Sequence, residues 1–592
     1  MFHIVIVWST AANFGNEIVN DIKSNFDLIK IVKVSWDKSL FYNNLKIFYA
    51  HSLKDMTDSE MKRILKDKIK SVGYNPFQVI VFRDKAPQMQ KRTTSSGDCL
   101  VNINVFDRKN KYRKMTGGSN IHSSNDEWET NKDLTLLFGK NCEDFVADRS
   151  INDEFEGNCL GVTGYESLEQ LFYVLNNTLN YCVLRNFEGI PEQYTLKGHD
   201  DIDLLVDHRK YAIRLTNAKQ VFPQSYRVYH NILIKGIETA FDFRFVGDDY
   251  YDEKWEKEIL SKRILRKNMF YTPDTLNCFY SLLYHAYIQK PYVKEDYHPK
   301  LEKYASEIGA VYDKNTINAM GLLKMFLSQN CYRLKAAKDK SVYFNKHNIL
   351  LIEGYTALES CGISELQSIH EDYWSMSGYV YFTGYYKGKK IFVKYGGFGN
   401  TCLNEYKMTS RAYSYAPQHF LQPLFFSEKG PYIIYEYVER IPLEAFLVDK
   451  NNKEEKSLIG NQIFEIYEAL KKANIIHRDI RPDNIVVVHE KLILLDFQFA
   501  LDAKEKKEIE GMYFDMACGL GKGFRYSAYA WNDGASFKQL VKKLDLNLAE
   551  DEIAVKRKLT AYMPMRYMLK LFRIKTNEKI RFCLISILKL WK

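Results

Sequence analysis

The sequence has no Cys-x-x-Cys pair, and its ten cysteines are scattered without a dense cluster. That pattern excludes a zinc ribbon and a disulfide-stapled scaffold, and a reducing cytoplasm is the compartment expected. No basic segment precedes the first apolar run, Met-Phe-His-Ile-Val-Ile-Val-Trp. The start therefore reads as a first strand and not as a secretory leader. No apolar stretch reaches the roughly 20 residues that a helix needs to cross a bilayer. Internal repeats and low-complexity tracts are absent as well. Most of the chain also lacks any surplus of cations. Of its 84 Lys and Arg, eleven lie in residues 556–592, where Glu578 is the single acid; removing these from the 84 cations and 74 acids leaves 73 of each. A neutral body with a basic tail excludes a nucleic-acid-binding fold, whose cations would spread over one face.

What remains is a long chain with ample material for cores. At 592 residues it is expected to form about three or four domains, and 46% hydrophobic residues with 14% aromatics suffice to fill them. The expected class is a multidomain α+β protein. In residues 1–147, apolar runs at 4–8, 29–34 and 78–82 alternate with helical stretches such as 59–72, as in a small α/β domain. A polar passage, 148–164, reads as a linker. In 165–345 a helix at 167–176 leads to two strands carrying acids and then to a helix at 276–287. Residues 346–545 form a further domain, and 546–592 a basic tail. In that tail Ile580, Leu584, Ile587, Leu588 and Trp591 recur at helical spacing. Such a helix suits an anionic membrane surface, and equally a helix docked on the body.

The strongest motif is Ile-Ile-His477-Arg478-Asp479-Ile-Arg481-Pro482-Asp483-Asn484, followed by an apolar strand that ends in Asp496-Phe497-Gln498. It supplies a base for a hydroxyl and two oxygen ligands for Mg2+, the chemistry of phosphoryl transfer from ATP. Lys394 ends the run Lys390-Ile-Phe-Val-Lys394, behind an alternating stretch at 379–386. Glu405 lies eleven residues on, in an expected helix at 403–413. After a strand at 432–435, Glu436 begins a hinge-like run. Over roughly 200 residues this array resembles the protein-kinase-like superfamily. The resemblance implies a bilobal fold with Asp479 as catalytic base, Asn484 and Asp496 as Mg2+ ligands, Lys394 as phosphate anchor, Glu405 as its partner, and Glu436 at the adenine edge. Arg481 stands where protein-serine kinases usually carry a lysine. Ser375, Ser377 and Gly378 occupy the place of a G-x-G-x-x-G loop, and Gln498 that of a glycine, which stiffens the turn. No Ala-Pro-Glu follows; Gly519-Leu-Gly-Lys-Gly and then Trp531-Asn-Asp533 stand there, with Asp533 expected to brace the loop at Asp479. In these features the segment looks like bacterial sugar and lipopolysaccharide-core kinases. A pseudokinase that keeps only the shape is the alternative.

In the middle segment, Gly198-His-Asp200-Asp201-Ile202-Asp203-Leu-Leu-Val presents Asp201 and Asp203 on one side of a strand, and Asp242 offers a third carboxylate from a neighbouring strand. This arrangement resembles the nucleotidyltransferase superfamily, which implies metal ions around a nucleotide triphosphate. Arg185 and Asn186 stand in the region where that superfamily carries Gly-Ser. Two acids at a strand end also suit a solvated turn, and His285 reads as structural. In the N-terminal segment, Gly-Gly-Ser-Asn120-Ile-His122-Ser-Ser124-Asn-Asp126 followed by Glu129 resembles nucleoside diphosphate kinases. That implies a ferredoxin-like fold with His122 as phospho-acceptor and Glu129 as its orienter; an ordinary polar histidine in a retained fold is the other reading.

Taken together, the sequence leads us to expect an ATP- and Mg2+-dependent phosphotransferase acting on a sugar or glycolipid hydroxyl in bacterial cell-surface polysaccharide biosynthesis. It would be cytoplasmic, peripheral on the inner face of the membrane, and without a nucleic-acid partner. The alternative is a regulatory or scaffold protein of nucleotide-binding folds, or a protein-modifying kinase or nucleotidyltransferase.

Overall fold

The computed structural model of the chain describes residues 1–94, 97–196, 201–369, 378–448, 453–505 and 533–546. They form two compact units, Met1–Asn345 and Lys346–Lys592. Among the described residues, no helix is long and apolar enough to cross a membrane.

The first unit holds two principal sheets. In the first, β1 (Phe2–Val7), β2 (Asp27–Ser35), β3 (Phe77–Arg83), β6 (Ile121–Ser123) and β7 (Glu154–Glu156) are ordered β6-β1-β3-β2-β7, while β4 (Met89–Thr94) and β5 (Gly97–Asn102) form a separate hairpin. Residues 3–7 of β1 are all buried: Val5 and Val7 pack with helices Gly15–Asn25 and Ile103–Met115, and helix Glu127–Phe138 also lies against the strand. Ile4 pairs with Val81 and Ile6 with Val79, antiparallel. Val5, Val7, Ile18, Ile22, Ile80, Phe82, Val105 and Ile121 make the core. Helix Asp58–Val72 starts where Thr57 and Glu60 exchange hydrogen bonds as a capping box.

The second sheet runs in the order β10-β11-β12-β9-β8, from β8 (Tyr181–Val183), β9 (Ile202–Val206), β10 (Lys219–Gln220), β11 (Tyr229–Ile234) and β12 (Ile237–Phe245). Strand β9 is buried along its whole length, which accounts for its unbroken Leu-Leu-Val run, and it lies parallel to β12. Ser167 caps helix Leu168–Thr178 by accepting from the Gln170 N–H. Helix Thr275–Ile288 is buried from Asn277 to its end, and β13 (Ile264–Arg266) pairs with β14 (Phe270–Thr272).

Residues 148–164 are not the linker that their polarity implies. Strand β7 lies in this passage and pairs with β2, and the Leu160 N–H bonds to the Leu136 carbonyl. Polar residues suffice there because an edge strand is held by its backbone, with Lys33–Glu154 across the pair at 2.9 Å. The two sheets also share one compact unit. The buried Arg214 donates to the carbonyls of Leu53 and Met56 and to Asp58, so separating the sheets would strand its guanidinium.

In the second unit, helix Lys346–Ser360 precedes an antiparallel sheet ordered β15-β16-β17-β19-β18, built from β15 (Ser364–Ile369), β16 (Tyr379–Tyr386), β17 (Lys389–Gly396), β18 (Pro423–Ser427) and β19 (Tyr432–Glu436). Helix Thr401–Tyr415 packs on it. Next come β20 (Ile441–Pro442), helices Leu443–Leu447 and Lys453–Lys472, and β21 (Ile475–Ile476). The hairpin β22 (Ile485–Val488) and β23 (Lys491–Leu494), then β24 (Leu501–Asp502) and helix Asp533–Lys543, complete the unit. One apolar cluster joins Met408 and Ala412 to Ile463, Ile466, Leu494, Phe497 and Leu540.

Candidate active site

Three short pairings in the second unit bring its polar residues together. Hairpin β22–β23 sets Ile485 opposite Leu494, and the Leu495 N–H bonds to the Asn484 carbonyl at 2.8 Å. Asn484 and Asp496 therefore flank the open end of one hairpin. Strands β21 and β24 pair antiparallel, bracketing the two loops. The buried His419 fixes the hairpin from outside: Nδ1 lies 2.8 Å from the Leu492 carbonyl and Nε2 2.8 Å from Glu465, while the Leu494 N–H bonds to the His419 carbonyl.

Lys394, on β17 opposite Tyr381 and Ile433, is buried and lies 2.8 Å from Glu405 and 2.7 Å from Asp496 Oδ1. Burial alone would lower the pKa of its ammonium, yet the carboxylates of Asp496 and Glu405 hold it well above the usual lysine value. Burial raises the Glu405 carboxyl against the pull of Lys394. At Asp496 burial also pushes upward, but the ammonium prevails and keeps the group below the usual range. The Tyr435 hydroxyl adds a hydrogen bond to Glu405 at 3.1 Å.

In the Asp479 loop, the Asn484 amide donates to both the Asp479 carbonyl and Oδ2, each at 2.9 Å. Arg481 Nε stands 3.7 Å from the same carboxylate. Asp533, the first residue of its helix, accepts from the N–H groups of His477 at 2.5 Å and Arg478 at 2.9 Å. Burial raises Asp533 to about 6 and lowers His477 to about 4. The His477 ring is wedged against Phe497, with centroids 4.6 Å apart. Asp496 itself adopts a left-handed backbone, φ 71° and ψ 63°.

The remaining expected residues lie around this centre. Gly378 opens β16 with φ 73°, and a Cβ there would meet the Phe398 ring at 2.9 Å, so the position requires glycine. Glu436 is exposed at the end of β19 opposite Ile391. Ser375, Ser377, the glycines at 519–523, Trp531 and the tail helix beyond 546 lie outside the described residues. Asn404, which carried no sequence signal, and Gln498, expected only to stiffen the turn, join the centre. Asn404 Nδ2 donates to the carbonyls of Gln498 (3.3 Å) and Ala500 (2.8 Å), and Gln498 Nε2 donates to Asp496 Oδ2 at 3.0 Å.

In the first unit, Asp203 on β9 faces Asp242 on β12, and with Asp201 their oxygens lie within 4.8 Å of one another. Arg185 binds Asp203 at 2.8 Å, and Arg244 lies 3.5 Å from Asp242. Burial raises Asp203 against the pull of Arg185, and burial together with Asp203 raises Asp242 to about 7. His285 is buried and bonded to Tyr250 and Gln289.

His122 is also buried, between Phe48 and Tyr49, and its Nε2 lies 2.8 Å from Asp133. Its carboxylate partner is thus Asp133 and not Glu129, whose side chain accepts from the Asn125 N–H at 2.8 Å. Burial lowers the imidazole despite Asp133, and the Lys132 ammonium, 2.6 Å from Asp133, competes for the same carboxylate.

A model of the protein kinase domain matches residues 409–520, which include Asp479, Asn484 and Asp496; Lys394 and Glu405 lie ahead of the match. Over 114 residues the chain is 30% identical to a serine/threonine-protein kinase stk11 homolog of Dictyostelium discoideum, a stretch covering 18% of this chain and 20% of that protein. The chain thus aligns with about a fifth of that relative's length. The match supports a kinase classification for the segment it covers.

Proposed function

We propose that the second unit is an ATP-dependent phosphotransferase with a hydroxyl acceptor. The observation that carries this reading is Lys394 bridging Glu405 and Asp496. A buried cation from the sheet is thereby joined to the loop that follows the hairpin bearing Asn484. The oxygens of Asp496 and Asn484 are the hard donors that suit Mg2+, and two carboxylates around one lysine leave Asp496 with negative charge to share. When bound there, Mg2+ supplies neutralisation of charge on the transferred phosphate. Lys394 binds phosphate oxygens, Asp479 orients the acceptor hydroxyl and takes its proton, and Asn484 holds that carboxylate in place. Arg481 adds positive charge beside it. Gly378, at the start of β16, admits the Phe398 ring beside the site, and Glu436 borders the adenine edge.

We read the acceptor as a sugar or a lipid-linked glycan, since no Ala-Pro-Glu follows Asp496 to complete a peptide-docking segment. A serine or threonine of a protein is the second reading, favoured by the name of the Dictyostelium relative. The middle sheet, with its triad Asp201, Asp203 and Asp242, is read as nucleotidyltransferase-like. The order β6-β1-β3-β2, antiparallel throughout, supports a ferredoxin-like N-terminal domain. The basic tail is read as a contact for anionic lipid.

The test is phosphate transfer from labelled ATP with Mg2+, using wild type, Asp479→Ala and Asp201→Ala/Asp203→Ala, each incubated alone, with glycan extract and with a serine/threonine peptide library. Transfer that vanishes in Asp479→Ala and persists in the double variant is expected. Transfer unchanged in Asp479→Ala would sink the assignment.

A further inference from the structure

We infer that Gln498 is a positioning residue for the Asp496 carboxylate, and that it replaces a movable turn by a fixed one. The inference rests on the phosphotransferase reading. Asp496 is held at both oxygens, Oδ1 by Lys394 at 2.7 Å and Oδ2 by Gln498 Nε2 at 3.0 Å. The turn beyond it is tied to helix Thr401–Tyr415 through Asn404, which reaches the carbonyls of Gln498 and Ala500. Glu405, the next residue on that helix, holds Lys394. A closed ring results: Asn404 to Gln498, Gln498 to Asp496, Asp496 to Lys394, Lys394 to Glu405, and back along the helix.

The consequence appears when nucleotide binds. Phosphate oxygens compete with Asp496 for Lys394, so Oδ1 is released toward a cation, and the Gln498 amide becomes the remaining side-chain hold on the carboxylate. A glycine here would supply no donor and would add backbone freedom next to a residue that already sits at φ 71°. Gln498 is 6% exposed, and its Oε1 is buried without a hydrogen-bond partner. An amide kept with its oxygen unsatisfied costs stability, and a methionine of similar volume would avoid that cost. The site retains the amide, which fits a donor kept for Asp496 better than a filler kept for packing.

The test compares wild type, Gln498→Met and Asp496→Asn, purified as full chains after phosphatase treatment. Mn2+ binding is read from the free-ion EPR signal in the presence of ATP, the Mg2+ requirement from transfer at saturating ATP, and folding from thermal melting. Gln498→Met is expected to need about tenfold more Mn2+ and Mg2+, a weakening of about 1.4 kcal/mol, with a melting temperature equal to or above wild type. Equal metal requirements in Gln498→Met and wild type would overturn the inference and leave the phosphotransferase reading standing. So would a lowered melting temperature with unchanged metal affinity. If wild type neither transfers phosphate nor binds Mn2+ better than Asp496→Asn, the reading beneath it fails as well.

Discussion

Replacing Lys394 by Met separates its structural role from its chemical one. The side chain of Lys394 is 8% exposed, those of Glu405 and Asp496 are 2% and 21% exposed, and both carboxylates lie within 2.8 Å of the ammonium. Methionine fills the volume but leaves two acids facing each other without a cation. Removing one partner of a buried ion pair typically costs about 3–5 kcal/mol, because the remaining charge is uncompensated. The cost here should depend on pH. Burial already raises the Glu405 carboxyl, and Lys394 is what opposes that rise. In Lys394→Met the folded-state pKa climbs further. A carboxyl raised in the folded state contributes stability that is present below its unfolded value and lost as pH rises through the folded one. The variant should therefore lose less near about pH 5 than near about pH 8.5. Lys394→Met/Glu405→Gln, which leaves only the more exposed Asp496 carboxylate without a cation, should regain most of the loss at about pH 8.5 while remaining as inactive as the single variant. Native-state hydrogen exchange of peptides covering 389–415 reads this locally, without reference to the first unit. A loss of about 3 kcal/mol appears as exchange faster by about two orders of magnitude. Equal losses at both pH values, or a double variant no more protected than the single one, would refute the reasoning.

Asp533→Ala strands the buried N–H groups of His477 and Arg478 at a cost of about 1–3 kcal/mol each; faster exchange of amides 475–480, together with reduced transfer, is expected, and unchanged exchange would dismiss the brace. His477 is held near 4 by burial instead of 6.5, so it folds neutral. A histidine lowered in this way makes stability fall as pH drops from its unfolded value through its folded one, here by about 3 kcal/mol. His477→Gln should remove that slope from an acid titration of the second unit's unfolding. Asp479→Asn should reduce kcat by about 10²–10⁴-fold while leaving ATP affinity within about twofold, as expected for a group that acts on the acceptor proton.

The residues legible in the sequence are those whose partners lie at fixed distances along the chain. Asp479 and Asn484 share one loop, and Lys394 and Glu405 are set by one strand followed by one helix, so spacing alone paired them. Asp203 and Asp242 were legible for a different reason: Asp201 and Asp203 alternate onto one side of a strand, Asp242 sits within a neighbouring strand, and the parallel register sets Asp242 opposite Asp203. Asn404 carried no signal because its bonds join residues more than ninety positions apart, and an asparagine beside the helix glutamate looks like any surface polar residue. Gln498 was legible as a departure from the kinase pattern, but not the hydrogen bond it makes to Asp496. The error at His122 follows from helix geometry. Glu129 occupies the third position of helix Glu127–Phe138, where its carboxylate turns back to an unpaired N–H at the helix start. Asp133, one turn further, presents its side chain to the imidazole instead. Strand β7 was missed on the opposite ground, since its hold on β2 is made by backbone groups that every sequence carries. What spacing could not supply in each case was the direction in which a side chain or an edge faces, and in Gln498 that direction is what turns a departure from the kinase pattern into a hydrogen bond on Asp496.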